Sequence, residues 1–242
     1  EIVADMGIGW NIGNTFDATG YDPNDIYGQE QSWGNPIVDQ ELIQRAKDAG
    51  FSTIRIPITW YRNLSDDGSF TIDPAFLARI KEVVDYCYAC DMYVIINMHH
   101  EEWLNVPTLD KDYEKIGVQL SAMWTQIADT FADYDQHLIF EAMNEPRMAG
   151  TGLEWNGNRA GYDAVNYLNQ VFVDTIRTNP NDSKDTFVYT AEGGKIVAHT
   201  LTLSDSTVEE ATYSYNEQGL LSVISATSGN TTYEYNAFGD VV

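Results

Sequence analysis

"DPAFLARIKEVVDYCYACDMYVIINMHH", residues 73–100, holds the pattern that decides the fold. Asp73 and Pro74 are a cap residue and a first-turn residue, the usual opening of a helix. Apolar residues then recur at helical spacing up to "VVDYCYAC". "MYVIINMHH" (92–100) follows as a continuous apolar strand that ends in two histidines. A helix leading straight into a strand that is apolar on both faces is one unit of a parallel sheet covered by helices.

The same unit recurs on either side. "MGIGWNI" (6–12) reads as a strand, "PIVDQELIQRAKDAG" (36–50) as a helix and "FSTIRIPITW" (51–60) as a strand. After residue 100 come a helix at 113–134, a strand "HLIFEAMNE" at 137–145 and a helix at 158–179. The order is β-α four times. Polar residues collect just after the strands: Trp10-Asn11 through Asn14, Trp60, His99-His100-Glu101 and Asn144-Glu145. Chemistry at strand C-terminal ends is what a (β/α)8 TIM barrel shows. Four units make half of one, so the expected fold class is α/β, a truncated barrel. Two open sheet edges would then invite self-association.

Beyond Pro180 the composition changes. Every Trp, Pro, Arg and Met lies at or before that residue. Instead a short repeat appears, in "FVYTAEGGKI", "YSYNEQGLL" and "YEYNAFGDVV": an aromatic, one residue, a tyrosine (189, 215, 235) and, four further on, a glycine (193, 219, 239). Alternating aromatics before a glycine turn describe antiparallel hairpins. The expected division is 1–182 as the half barrel and 183–242 as a small β-repeat segment.

The chain has 242 residues and a formal net charge of −24. Such a surface repels nucleic acid and anionic membrane and suits a neutral partner. No apolar run approaches the roughly 20 residues of a membrane span. The chain opens inside a motif, as a mature form or a fragment would. Cys87 and Cys90 close a helix and have no second pair, so they read as packing residues rather than a zinc or redox site. The adjacent His99 and His100 are not read as a metal pair, because neighbouring strand residues point to opposite faces. No metal and no cofactor is expected.

The chemistry sits in "LIFEAMNEPR" (138–147). A strand delivers Glu145 beside the Asn144 amide, and Pro146 fixes the turn. A carboxylate so held looks like half of a two-carboxylate machine. A retaining glycosidase sets two carboxyl groups about 5–5.5 Å apart, one as acid and one as nucleophile. Aromatic rings offer flat faces to sugar rings, and neutral asparagines and histidines bond hydroxyls.

Five segments agree with that chemistry: "GWNIGNTFDA", "SWGNP", "TIRIPITW", "VIINMHHEEW" and "LIFEAMNEPR". In order and spacing they closely resemble glycoside hydrolase family five, in its endo-β-1,4-glucanase (cellulase) and xyloglucanase branch, over residues 6–180. The tail from 187 resembles the YD-repeat, or RHS, segments of large bacterial surface proteins. The resemblance implies a secreted, extracellular hydrolase of β-glucan polysaccharide. It implies Glu145 as acid/base, Asn144 at the sugar 2-hydroxyl and Arg55 as holder of the nucleophile. It also implies Asn14, Trp33, His99 and His100 as cleft residues. The family's downstream nucleophile has no counterpart. Glu192, 47 residues after Glu145, fits the tail repeat better than a fifth β-α unit, and Glu141 and Glu101 rank lower. A second reading stays open: a non-catalytic, carbohydrate-contacting module fused to a repeat shell. Arg55 also has a plainer reading, a packing residue in a salt bridge with Glu141.

Overall fold

The computed structural model describes residues 2–177, 184–189, 196–202, 208–226 and 229–235, in two units divided between Phe172 and Val173. In the first, a short helix α1 (Ile2–Met6) precedes β1 (Gly9–Asn11), α2 (Gly28–Ser32), α3 (Gln40–Asp48) and β2 (Thr53–Ile56). Then come α4 (Pro74–Ala89), β3 (Tyr93–Asn97), α5 (Leu109–Thr130), β4 (Leu138–Glu141) and α6 (Arg159–Arg177), whose last turn enters the second unit. The strands form one parallel sheet in the order β1-β2-β3-β4, in register Asn11↔Arg55, Arg55↔Ile95 and Asn97↔Glu141. Among the described residues no strand pairs with the outer side of β1 or of β4.

Local chemistry explains the elements. The Asp73 carboxylate accepts from the Ala75 and Phe76 amides, and Pro74 fills the first turn, so α4 starts where the sequence says. Its apolar stripe, Phe76, Ile80, Val83, Val84 and Cys87, is buried. Ile54, Ile56, Val94 and Ile96 are buried in the two middle strands, as strands covered on both faces must be. All four residues of β4 are instead half-buried, as befits a strand at the sheet edge. Helix α5 anchors the exit of that strand. Trp124 is fully buried, as a helical-face residue should be, and its indole donates to the Ala142 carbonyl at 3.1 Å. Cys87 and Cys90 are both free and buried, and burial pushes the Cys87 thiol up to about 12. They are packing residues.

The second unit is all β. Strands β5 (Lys184–Tyr189), β6 (Ile196–Thr202), β7 (Val208–Tyr215), β8 (Leu221–Ala226) and β9 (Gly229–Thr232) pair antiparallel in chain order. The register shifts at Val188/Tyr189 and again at Ser214/Tyr215, the same position in two copies of the repeat. After Tyr215 the Asn216 carboxamide accepts from the Gln218 and Leu220 amides, and Gly219 takes φ 78°. The repeat's glycine therefore stands where a left-handed turn needs it. The corresponding Gly193 and Gly239, and Glu192, lie outside the described residues. No described helix is long and apolar enough to cross a membrane.

Candidate functional site

One polar residue from each parallel strand contributes to a single row. Arg55 donates from Nε and Nη2 to the two oxygens of Glu141, at 2.7 and 2.6 Å, a bidentate pair. Its Nη1 reaches Asn11 Oδ1 at 3.3 Å and its Nη2 reaches Asn144 Oδ1 at 3.4 Å. Asn97 donates to Glu141 at 3.1 Å. Burial alone would raise the Glu141 pKa, but the bonds from Arg55 and Asn97 outweigh it, and the carboxyl lies below its usual value. The Arg55 guanidinium is raised in turn, first by its bond to Glu141. The salt bridge weighed as the plainer reading of Arg55 is formed.

Asn97 also fixes a tautomer. Its Oδ1 accepts from the Ile58 amide at 3.1 Å, so its NH2 faces Glu141 and His99. His99 Nδ1, 3.2 Å away, therefore accepts, and its proton sits on Nε2. Burial first, and then the neighbouring His100, lower the His99 pKa to about 4, so the ring is neutral near pH 7.

The expectation that His99 and His100 face opposite ways is overturned. Their ring centres are 4.5 Å apart. Strand β3 ends at Asn97, so the alternation of a pleat no longer governs the next residues. Trp33 stands against His100 at 6.0 Å between ring centres, itself 44% exposed. Buried Asp17 completes a cluster with the two histidines, its ligand atom and theirs all within 4.8 Å of one another. A cation there would have to displace Asn97 from His99 Nδ1 or move the Nε2 proton. Asp17 escaped the sequence reading, although its side chain accepts from the Thr15 amide at 2.8 Å, a Thr-x-Asp spacing visible in "NTFDA". Nearby, Asn14 has φ 58°, and its carbonyl accepts from the Asn35 amide group at 3.0 Å.

At the exit of β4 the Asn144 amide donates to the Met98 carbonyl at 2.8 Å, tying this loop to that of β3. Glu145 follows with φ 46° and its side chain 61% exposed. Its partner is Arg147, which donates from Nη1 at 2.9 Å. Glu101 is elsewhere: fully buried, it accepts from the Trp60 amide at 2.6 Å and the Trp103 indole at 2.5 Å. Burial pushes its carboxyl up to about 7 against the pull of those bonds. Trp103 thus serves a buried carboxyl.

The chain is similar to known proteins. The family described as cellulase (glycosyl hydrolase family 5) matches residues 16–220, a span that runs past the expected seam. Endoglucanase A of Clostridium longisporum is 46% identical over 182 residues, covering 73% of this chain and 34% of that protein. Endoglucanase A of Ruminococcus albus is 43% identical over 186 residues, covering 76% and 50%. A broad-specificity endoglucanase from Ruminococcus flavefaciens superposes with TM-score 0.69 at 50% identity, over 74% of this chain and 51% of that one. A xyloglucan-specific endo-β-1,4-glucanase from a metagenomic library, in complex with cellotriose, gives 0.68 at 42%, over 73% and 52%. The chain spans a third to a half of the length of these curated relatives.

Proposed function

The chain belongs to the cellulase family of glycosyl hydrolases, family 5, and on that footing we propose that its first unit is the acid-bearing half of a β-1,4-glucan cleft. The observation that carries this reading is the backbone at Glu145. A non-glycine residue at φ 46° is strained, at a cost of order 1–3 kcal/mol, and such strain persists where the surroundings hold a functional group in place. Here Trp124 holds Ala142, Met98 holds Asn144, and Pro146 fixes the exit.

In this reading Glu145 protonates the glycosidic oxygen as the leaving group departs, as the general acid of a retaining mechanism. The Asn144 amide bonds the sugar 2-hydroxyl. His99, neutral, and His100 bond hydroxyls, and Trp33 and Asn14 line the sugar path. Arg55 is the residue that would hold the nucleophilic carboxylate, and Glu141 takes that guanidinium instead. The nucleophile is therefore expected from outside the described residues. Support for the substrate comes from the neighbours: one is a xyloglucan-specific enzyme solved with cellotriose, another a broad-specificity endoglucanase from Ruminococcus champanellensis with bound cellotriose. A neutral glucan suits a chain of net charge −24. The reading needs no cofactor. It includes an extracellular setting and a repeat-like tail at 183–242 that resembles RHS segments.

The occupied Arg55 favours a second reading, a module that contacts carbohydrate without cleaving it. Both require glucan binding. Affinity electrophoresis in gels containing xyloglucan tests this. The protein should be retarded, and Trp33→Ala should be retarded less. Migration unaffected by the glucan would refute both readings.

A further inference from the structure

Opposite-facing rings would have kept His99 and His100 from sharing an ion, but their centres lie 4.5 Å apart. Asp17 joins them, and one ligand atom from each of the three side chains lies within 4.8 Å of the others. Ligand atoms of a tetrahedral zinc ion, each about 2.0–2.2 Å from the metal, stand about 3.4 Å apart, so the three groups would close by at most about 1.4 Å. They come from different loops, Asp17 after β1 and the histidines after β3. Thr59, buried after β2, fastens these loops together. Its hydroxyl donates to the Asp17 carbonyl and accepts from the His100 amide, each at 3.1 Å. The His99 amide donates to the Ile58 carbonyl at 2.7 Å. The backbone of the triad is thus held in place by its own bonds, as a binding constellation requires.

The donor atoms are open to an ion. Asp17 is 5% exposed, and its Oδ1 accepts from the Thr15 amide at 2.8 Å. Among the described residues its carboxyl group makes no ion pair. A buried carboxylate so placed gains from a cation. Among the described residues nothing hydrogen-bonds the His100 ring, which packs on His99 and Trp33. His99 carries its proton on Nε2, so Nδ1 offers the lone pair that a metal takes. Coordination there replaces the 3.2 Å bond from Asn97, whose NH2 group keeps Glu141 at 3.1 Å.

We propose that Asp17, His99 and His100 form a site for one zinc-like divalent cation, and that the bound cation excludes glucan from the two imidazoles. Two imidazoles and one carboxylate suit zinc, copper or nickel rather than magnesium or calcium, which seek oxygen ligands. Three protein ligands leave a fourth position to water, as in open zinc sites. The site needs only these three side chains. The exclusion of glucan rests on the reading of His99 and His100 as cleft residues.

The test is isothermal titration of the full chain with zinc chloride and, separately, magnesium chloride, for the wild type, His100→Ala and Asp17→Asn. The wild type should take up one zinc ion per chain and bind magnesium far more weakly. Asp17→Asn keeps an oxygen for the Thr15 amide, and each substitution should weaken zinc binding about 100-fold, the upper end of what losing even an outer partner costs. Zinc affinity unchanged in both variants, or no zinc uptake by the wild type, would overturn the site. Copper(II) electron paramagnetic resonance of the wild type gives a reading that no variant's folding can disturb: coupling to two imidazole nitrogens is expected, and coupling to fewer would overturn the site. In xyloglucan gels zinc should reduce the retardation of the wild type and magnesium should not. Retardation unchanged by bound zinc would overturn the exclusion of glucan. No retardation even without metal would refute the cleft reading, and the zinc site would still stand or fall on the titration.

Discussion

Arg55 and Glu141 pair at 2.6 Å with both side chains about a quarter to a third exposed. Arg55→Met would leave Glu141 ionised in a half-buried site with only Asn97 to serve it. A loss of about 1–2 kcal/mol in urea unfolding at pH 7 is expected. The Glu141 pKa is lowered, so the pair's contribution is present above the usual 4.5 and lost as the pH falls. Glu101 has the opposite sign. Its carboxyl is raised from 4.5 to about 7 in the folded chain, which therefore binds the extra proton between those values. Its stabilisation is full below about 4.5 and fades as the pH rises through 7. His99, lowered from 6.5 to about 4, works against it, since the unfolded chain takes that proton first and stability drops as the pH falls from 6.5 to 4. Glu101→Gln separates the two. The variant should be less stable at pH 5, because an amide group must face the Trp60 or Trp103 donor. The gap to the wild type should then narrow by about 1–3 kcal/mol between pH 5 and 8. A constant gap in thermal melts over that range would show that Glu101 does not titrate there. At this scale the sequence showed Asn144 and Glu145 as candidates and offered the Arg55–Glu141 pair as an alternative, because each lies in a readable motif. It hid Asp17 and the link from Arg147 to Glu145, since both depend on loop paths that no periodicity encodes.

The elements were the most legible level. Each parallel strand was readable as an apolar run and each long helix as a run at helical spacing, and they occur in the expected order. Helix α4 shows why: Asp73 and Pro74 mark its start, and Asp73 accepts two amide bonds. Asp73→Ala should lower stability by about 1 kcal/mol, read as a shift in the denaturant midpoint at unchanged slope. Strand lengths were overread. "MYVIINMHH" was taken to 100, but the strand ends at Asn97, and beyond it the backbone is tied to its neighbours by the bonds from the His99 amide to Ile58 and from the Asn144 amide to Met98. That error of three residues is what separated His99 from His100 on paper. In the tail the glycine of "YSYNEQGLL" announced a turn whose Asn216 bonds could be anticipated from turn chemistry. The short helix α1 carries no apolar period and left no signal.

For the whole molecule, the four-stranded sheet has two sides, at β1 and β4, with no strand partner among the described residues. Half-buried β4 carries the apolar run Leu138, Ile139 and Phe140 at such an edge. Exposed edges of this kind pair with other chains, and the net charge of −24 opposes this only until salt screens it. Sedimentation velocity at micromolar concentration should therefore show association that grows with ionic strength. A monomer at every salt concentration would mean that the edges are covered. The change of composition at Pro180 led to an expected division after residue 182, whereas the structure divides the chain between Phe172 and Val173 and the family match runs to 220. What a half-length match to endoglucanases does to catalysis could not be read from motifs, because the proposed acid, Glu145, stands in its motif whether or not a nucleophile accompanies it. The central proposal is that Glu145 serves as the acid and that none of the described residues serves as its nucleophile. General acid catalysis alone is worth about 10²–10⁴-fold, against the roughly 10⁶–10¹⁷-fold that enzymes reach. The direct measurement is release of reducing ends from xyloglucan and carboxymethylcellulose by the purified chain, beside Glu145→Gln and a full-length relative. The account predicts that the chain and its variant are alike and both far below the relative. Robust release by the chain, abolished in Glu145→Gln, would contradict it.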